Sequence, residues 1–140
     1  MCICNYYFCS VAFTANGLQY DNSKDRVVFG TVLTNEGHGF NETTATFTCP
    51  LAGLYFFEYP LVCGKDIVFE LRKNSGRIPN LGQRIPHNYR TFGITTSVFL
   101  QLNVGDNVTL LSHSHHSRNQ IDDMLICSSF VGILINRHIK

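Results

Sequence analysis

TCPLAGLYFFEYPLVC, residues 48–63, carries aromatic rings on both sides of any strand it forms. Successive side chains of an extended chain point to opposite faces. Tyr55, Phe57, Tyr59 and Leu61 therefore share one face, and Leu54 and Phe56 share the other until Glu58 interrupts it. A half-buried strand alternates apolar with polar residues. This one is apolar on both faces, so it needs cover from two directions, and the core of a small domain supplies only one.

The chain around it has 140 residues, enough for one domain with a core that needs neither disulfides nor metal. Hydrophobic residues make up 44% and charged residues 15%, which separates it from disordered chains. A formal net charge of +1 gives no basic surplus of the kind nucleic-acid modules carry. No apolar run approaches the roughly 18 residues that insertion into a membrane requires. The opening MCICNYYFCSVAF is apolar but lacks the basic start of a secretory signal, so residues 1–10 read as a leader or tail.

Six cysteines stand at Cys2, Cys4, Cys9, Cys49, Cys63 and Cys127, with no paired C-x-x-C spacing of a zinc ribbon. The first three suit disulfides between chains or within the leader, free thiols, or a small metal site. Cys49 and Cys63 flank the aromatic strand and can bridge only if the chain doubles back between them.

Strand patterns continue on either side. RVVFGTVLT (26–34) is β-branched and aromatic, and TATFTC (44–49) puts Ala45, Phe47 and Cys49 on one face. DIVFELRK (66–73) sets Ile67, Phe69 and Leu71 toward a core, with Val68, Glu70 and Arg72 toward solvent. TTSVFLQLNV (95–104) aligns Val98, Leu100, Leu102 and Val104, and NVTLLSHSH (107–115) and CSSFVGILI (127–135) follow. Gly- and Asn-rich runs separate them: NEGHG (35–39), NSGR (74–77), PNLG (79–82) and VGDN (104–107), the last reading as a hairpin turn. No segment keeps a 3.6-residue period. Eight to ten short strands in so short a chain predict an all-β sandwich of jelly-roll type.

Chemistry-bearing clusters are few. The ten acids fall mostly in turns, Asp122 and Asp123 are adjacent and would point apart on a strand, and no G-x-S-x-G elbow occurs. An enzyme is therefore not expected. SHSHHSR (112–118) places His113 and His115 on one face, with His116 beside them. The run reads first as a solvated polar loop; such imidazoles can also hold zinc or copper, or titrate near pH 6. Asn41-Glu42-Thr43 and Asn107-Val108-Thr109 are acceptor sequons for N-linked glycans at Asn41 and Asn107.

The aromatic spacing orders all of this. Phe29, Asn35, Phe40, Phe47, Gly53, Tyr55, Phe57 and Tyr59 form a ladder that resembles the signature of the complement C1q globular-head domain. VAFTA (11–15) resembles that family's opening strand, LQLNVGDNVTL (100–110) its Gly-Asp hairpin, and SSFVGILI (128–135) its closing strand. The resemblance implies a ten-stranded jelly roll similar to the tumour necrosis factor fold. The domain would span residues 11–136, between the leader 1–10 and a tail 137–140. It also implies assembly into a homotrimer, secretion, and work by binding rather than catalysis. The implied ligands are carbohydrates or bacterial surface molecules, met in a lectin-like way in innate defence. A trimeric signalling ligand for a protein receptor, or an extracellular metal carrier using His113, His115 and His116, are the alternatives. No cofactor is required, and two adjacent acids in SHSHHSRNQIDDM are too few for the calcium that some relatives hold. Composition and position, rather than the resemblance, nominate the ligand-contacting residues. They are His113, His115, His116, Arg118 and Asn119 in one loop, and Arg84, His87, Asn88, Tyr89 and Arg90 in QRIPHNYRTF (83–92).

Overall fold

The computed structural model describes residues 10–21, 26–63, 67–78, 83–85, 92–112 and 128–138. Its strands are β1 (Ala12–Asp21), β2 (Arg26–Glu36), β3 (Phe40–Asn41), β4 (Thr46–Thr48), β5 (Gly53–Cys63) and β6 (Ile67–Lys73). Then come β7 (Gly76–Arg77), β8 (Gln83–Ile85), β9 (Phe92–Leu102), β10 (Asn107–Ser112) and β11 (Ser129–Arg137). They form two antiparallel sheets, one ordered β2-β1-β11-β5-β9 and the other β3-β4-β10-β6-β7, with β8 also paired to β6. This is the expected jelly-roll sandwich. Among the described residues there are eleven strands rather than ten, because the short β7 and β8 both pair with β6.

The two sheets meet through rings. Tyr55, Phe57 and Tyr59 of β5 are 0% exposed, and they lie among Phe13, Phe47 and Phe130. Phe13 stacks on Phe40 at 4.6 Å between centroids and meets Phe130 edge-on at 4.9 Å. Such geometries contribute beyond the area they bury. The ladder noted in the sequence is thus the core of the sandwich.

Two non-aromatic residues let this core close. Asn35 donates from Nδ2 to the Phe40 carbonyl (2.7 Å) and accepts at Oδ1 from the Phe40 N–H (3.0 Å). One side chain therefore closes the 35–40 loop and delivers the Phe40 ring to Phe13. In SSFVG, Gly132 sits where a Cβ would come within 2.5 Å of the Phe13 ring and 2.8 Å of the Phe57 ring. Only a glycine lets β11 pass between them.

Expectations change at VGDN, Val104 and Glu70, and the open question of a Cys49–Cys63 bridge is answered. VGDN is not a hairpin: it carries the chain from β9 in one sheet to β10 in the other. The turn is tied to the β4 end, where Gly105 N–H donates to the Cys49 carbonyl and Cys49 N–H to the Asp106 carbonyl, both at 2.8 Å. Val104 lies in this turn, past the end of β9, and is exposed rather than part of the core face. Glu70, expected in solvent, is buried, with Arg72 Nε 3.4 Å from its Oε1, because a carboxylate removed from water needs a counter-charge. Cys49 is a free buried thiol that donates to the Leu51 carbonyl (3.0 Å), so it forms no bridge to Cys63.

Asn35→Ala leaves the partly buried Phe40 N–H and C=O without partners. It should lower unfolding stability by about 1–3 kcal/mol in urea titrations. An unchanged midpoint would show that the loop holds Phe40 without the clamp.

Candidate functional site

The outward face of the five-stranded sheet follows from the same alternation. With Tyr55 and Phe57 inward, Leu54 and Phe56 face out. The strand register lines Ala12 of β1, Ile133 of β11, Phe56 of β5 and Phe99 of β9 in one row across four strands. Phe56 and Phe99 rest on each other with centroids 5.0 Å apart. Phe99 is 60% exposed, Ile133 45% and Ile135 52%. The next row, Thr14, Val131, Glu58 and Ser97, turns polar toward β9. Among the described residues nothing covers the exposed side chains of this row. The sequence revealed Phe56 but not its partners. Their signal was there: Phe99 breaks the alternation of SVFLQL, and FVGILI runs apolar without alternating.

The strand ends define a second region. Cys63 of β5 pairs with Phe92 of β9, Ile67 of β6 with Ile85 of β8, and Phe69 of β6 with Ser112 of β10. The flanks of both ligand-candidate stretches therefore leave the sandwich at one end. Arg84 falls on β8 opposite Val68. His87, Asn88, Tyr89, Arg90, His113, His115, His116, Arg118 and Asn119 lie outside the described residues, as do Cys2, Cys4, Cys9 and Cys127. Among the described residues, no three His, Cys, Asp or Glu side chains group as a metal site. No helix there is long and apolar enough to cross a membrane.

The opposite end is closed by a polar clamp. Asp106 Oδ2 accepts from the Asn103 N–H (2.8 Å), and its Oδ1 accepts from Asn74 Nδ2 (3.0 Å). Lys73 Nζ stands 3.9 Å from Oδ2. The Asn103 N–H first, then the Asn74 amide, hold the Asp106 carboxyl below the usual carboxylate range. Asn107 N–H donates to Asn74 Oδ1 (2.7 Å), and Thr48 donates to Asn107 Oδ1 (2.9 Å). Nearby, burial pushes the Cys49 thiol up, and burial with the neighbouring Cys49 does the same to the Tyr55 phenol. Both groups are therefore held in their protonated, hydrogen-bond-donating form near neutral pH. Tyr55 Oη donates to the Leu51 carbonyl at 2.7 Å.

The class these features define is a ring-filled, all-β jelly roll with an apolar row on the outer face of one sheet. The family model of the C1q domain matches residues 10–135, and the chain belongs to that family. Its relatives include Protein HP-25 homolog 2 of Bos taurus, 33% identical over 110 residues, which are 78% of this chain and 49% of that protein. A complement C1q subcomponent of Mus musculus is 30% identical over 123 residues, 87% of this chain and 48% of the relative. The chain thus spans about half the length, or less, of the curated relatives it matches. Among solved structures, the globular domain of a zebrafish complement 1qA protein superposes with a TM-score of 0.62 at 21% identity. That match covers 92% of this chain and 99% of the zebrafish one, and it shows the fold.

A depressed carboxyl stabilises the fold at pH values above the ordinary Asp range, and that contribution disappears as pH falls through its folded-state pKa. Wild type should therefore exceed Asp106→Asn in urea midpoint at pH 7. The two should converge as the pH falls below the folded-state pKa of Asp106, where the carboxylate is protonated in both states. A gap that persists unchanged at low pH would remove Asp106 ionisation as its cause.

Proposed function

We propose that this chain is a secreted, trimeric recognition module that binds carbohydrate or microbial surface ligands in a lectin-like way, in innate defence. The observation that carries the reading is the outward-facing row Ile133–Phe56–Phe99 on the five-stranded sheet. Two further copies of the chain are the occupants that suit it. The face is apolar along this row, and relatives in the family carry the name of subunits. Burying each such side chain contributes about 1.5–3 kcal/mol before association costs.

Membership of the C1q-domain family supports binding over catalysis, and secretion over retention. The strand ends that carry the two ligand-candidate stretches lie together, so a three-fold assembly repeats one such end three times. Contacts that are weak singly then act together, and the gain in apparent affinity reaches 10²–10⁴-fold in order of magnitude. Arg84, His87, Asn88, Tyr89 and Arg90, with His113, His115, His116, Arg118 and Asn119, supply ring, guanidinium and amide donors suited to sugar hydroxyls and carboxylates. A receptor-binding trimer would use the same assembly face and differ only in what the loops meet.

The wild-type protein should bind acidic or microbial sugars on a glycan array. Phe99→Lys places a charge on the assembly face. It should keep the β-sheet circular dichroism and lose at least about tenfold in apparent affinity for the bound glycans, through lost avidity. A wild type silent across the array, with a specific membrane protein captured instead, would favour the receptor reading. Undiminished affinity in Phe99→Lys would remove the need for assembly.

A further inference from the structure

Of the two sequons, we infer that Asn41 carries an N-linked glycan and Asn107 does not. The inference rests on the extracellular reading above. Asn41 ends β3, at the edge of the second sheet. It opens a turn in which Asn41, Glu42, Thr43 and Thr44 are all exposed. Asn41 Oδ1 accepts from the Thr43 N–H (2.9 Å) and the Thr44 N–H (3.2 Å). Arg26 reaches over from β2 to donate to the Thr43 carbonyl at 3.1 Å. The carboxamide oxygen is thus held against the turn. The amide nitrogen that would take the sugar lies on the other side of the planar group and makes no hydrogen bond among the described residues.

Asn107 is differently placed. It begins β10, which lies between β4 and β6. Its Oδ1 takes the Thr48 hydroxyl and its N–H the Asn74 side chain, so it ties three segments together. The middle residue of its sequon, Val108, is in the core. A glycan there would stand on the clamp that closes this end of the sandwich.

A sugar at Asn41 belongs to the second sheet, whereas the apolar row lies on the outer face of the first, so modification and assembly do not compete.

The test is secretion from cultured eukaryotic cells behind a cleavable signal sequence, followed by peptide N-glycosidase digestion and mass spectrometry. Wild type and Asn107→Gln should each lose one glycan mass, with Asn41 converted to aspartate in the released peptide. Asn41→Gln and Thr43→Ala should lose none, and Thr43→Ala keeps both turn bonds to Asn41 Oδ1, so folding is preserved. Absence of any glycan on the wild type, or release that survives Asn41→Gln, overturns the inference. Export of the native chain is a separate measurement, its presence in extracellular fluid, so failure of that reading is told apart from failure of this one.

Discussion

The Phe13 ring is where the two sheets touch. It meets Phe40, Phe47, Phe130 and Phe57 at centroid distances of 4.6, 5.3, 4.9 and 6.3 Å. Those four rings come from β3, β4, β11 and β5, so one side chain binds strands of both layers. Packing at interior density admits no spare methyl. The glycine at 132 and the Asn35 clamp on Phe40 both let this ring cluster close. Once it closes, the parity of β5 is fixed, and Leu54 and Phe56 are left on the outside.

That parity links fold to function. A strand has two faces, and the sandwich buries one. The rest of the aromatic content of β5 is delivered outward, beside Phe99 and Ile133, on four paired strands. The same alternation that fills the core therefore builds an apolar outer row that the other described residues leave exposed.

Much of this was legible in the residues. Tyr55, Phe57 and Tyr59 announced a shared face, because residues two apart on a strand point the same way; which face turned inward was settled by packing against Phe13, Phe47 and Phe130. Phe29, Phe40 and Phe47 were placed with them by the family resemblance. What escaped the reading was tertiary. Gly105 and Asp106 look like a hairpin in one dimension, yet the turn is held by the Cys49 backbone and crosses between sheets. Glu70 alternates like a solvent residue, but Arg72 two positions on accompanies it into a buried setting. Phe99 and Ile133 become neighbours of Phe56 only through strand register, which no local pattern specifies. The ligand-contacting residues were legible only as composition, since His113, His115 and His116 and the 86–91 stretch lie outside the described residues.

The claim that the outer face of the five-stranded sheet is an assembly surface is tested most directly by the mass of the untreated protein in solution. Light scattering at micromolar concentration should give three times the 15.8 kDa of one chain. A single 15.8 kDa particle, stable and soluble with Phe99 and Ile133 still open to solvent, would contradict it.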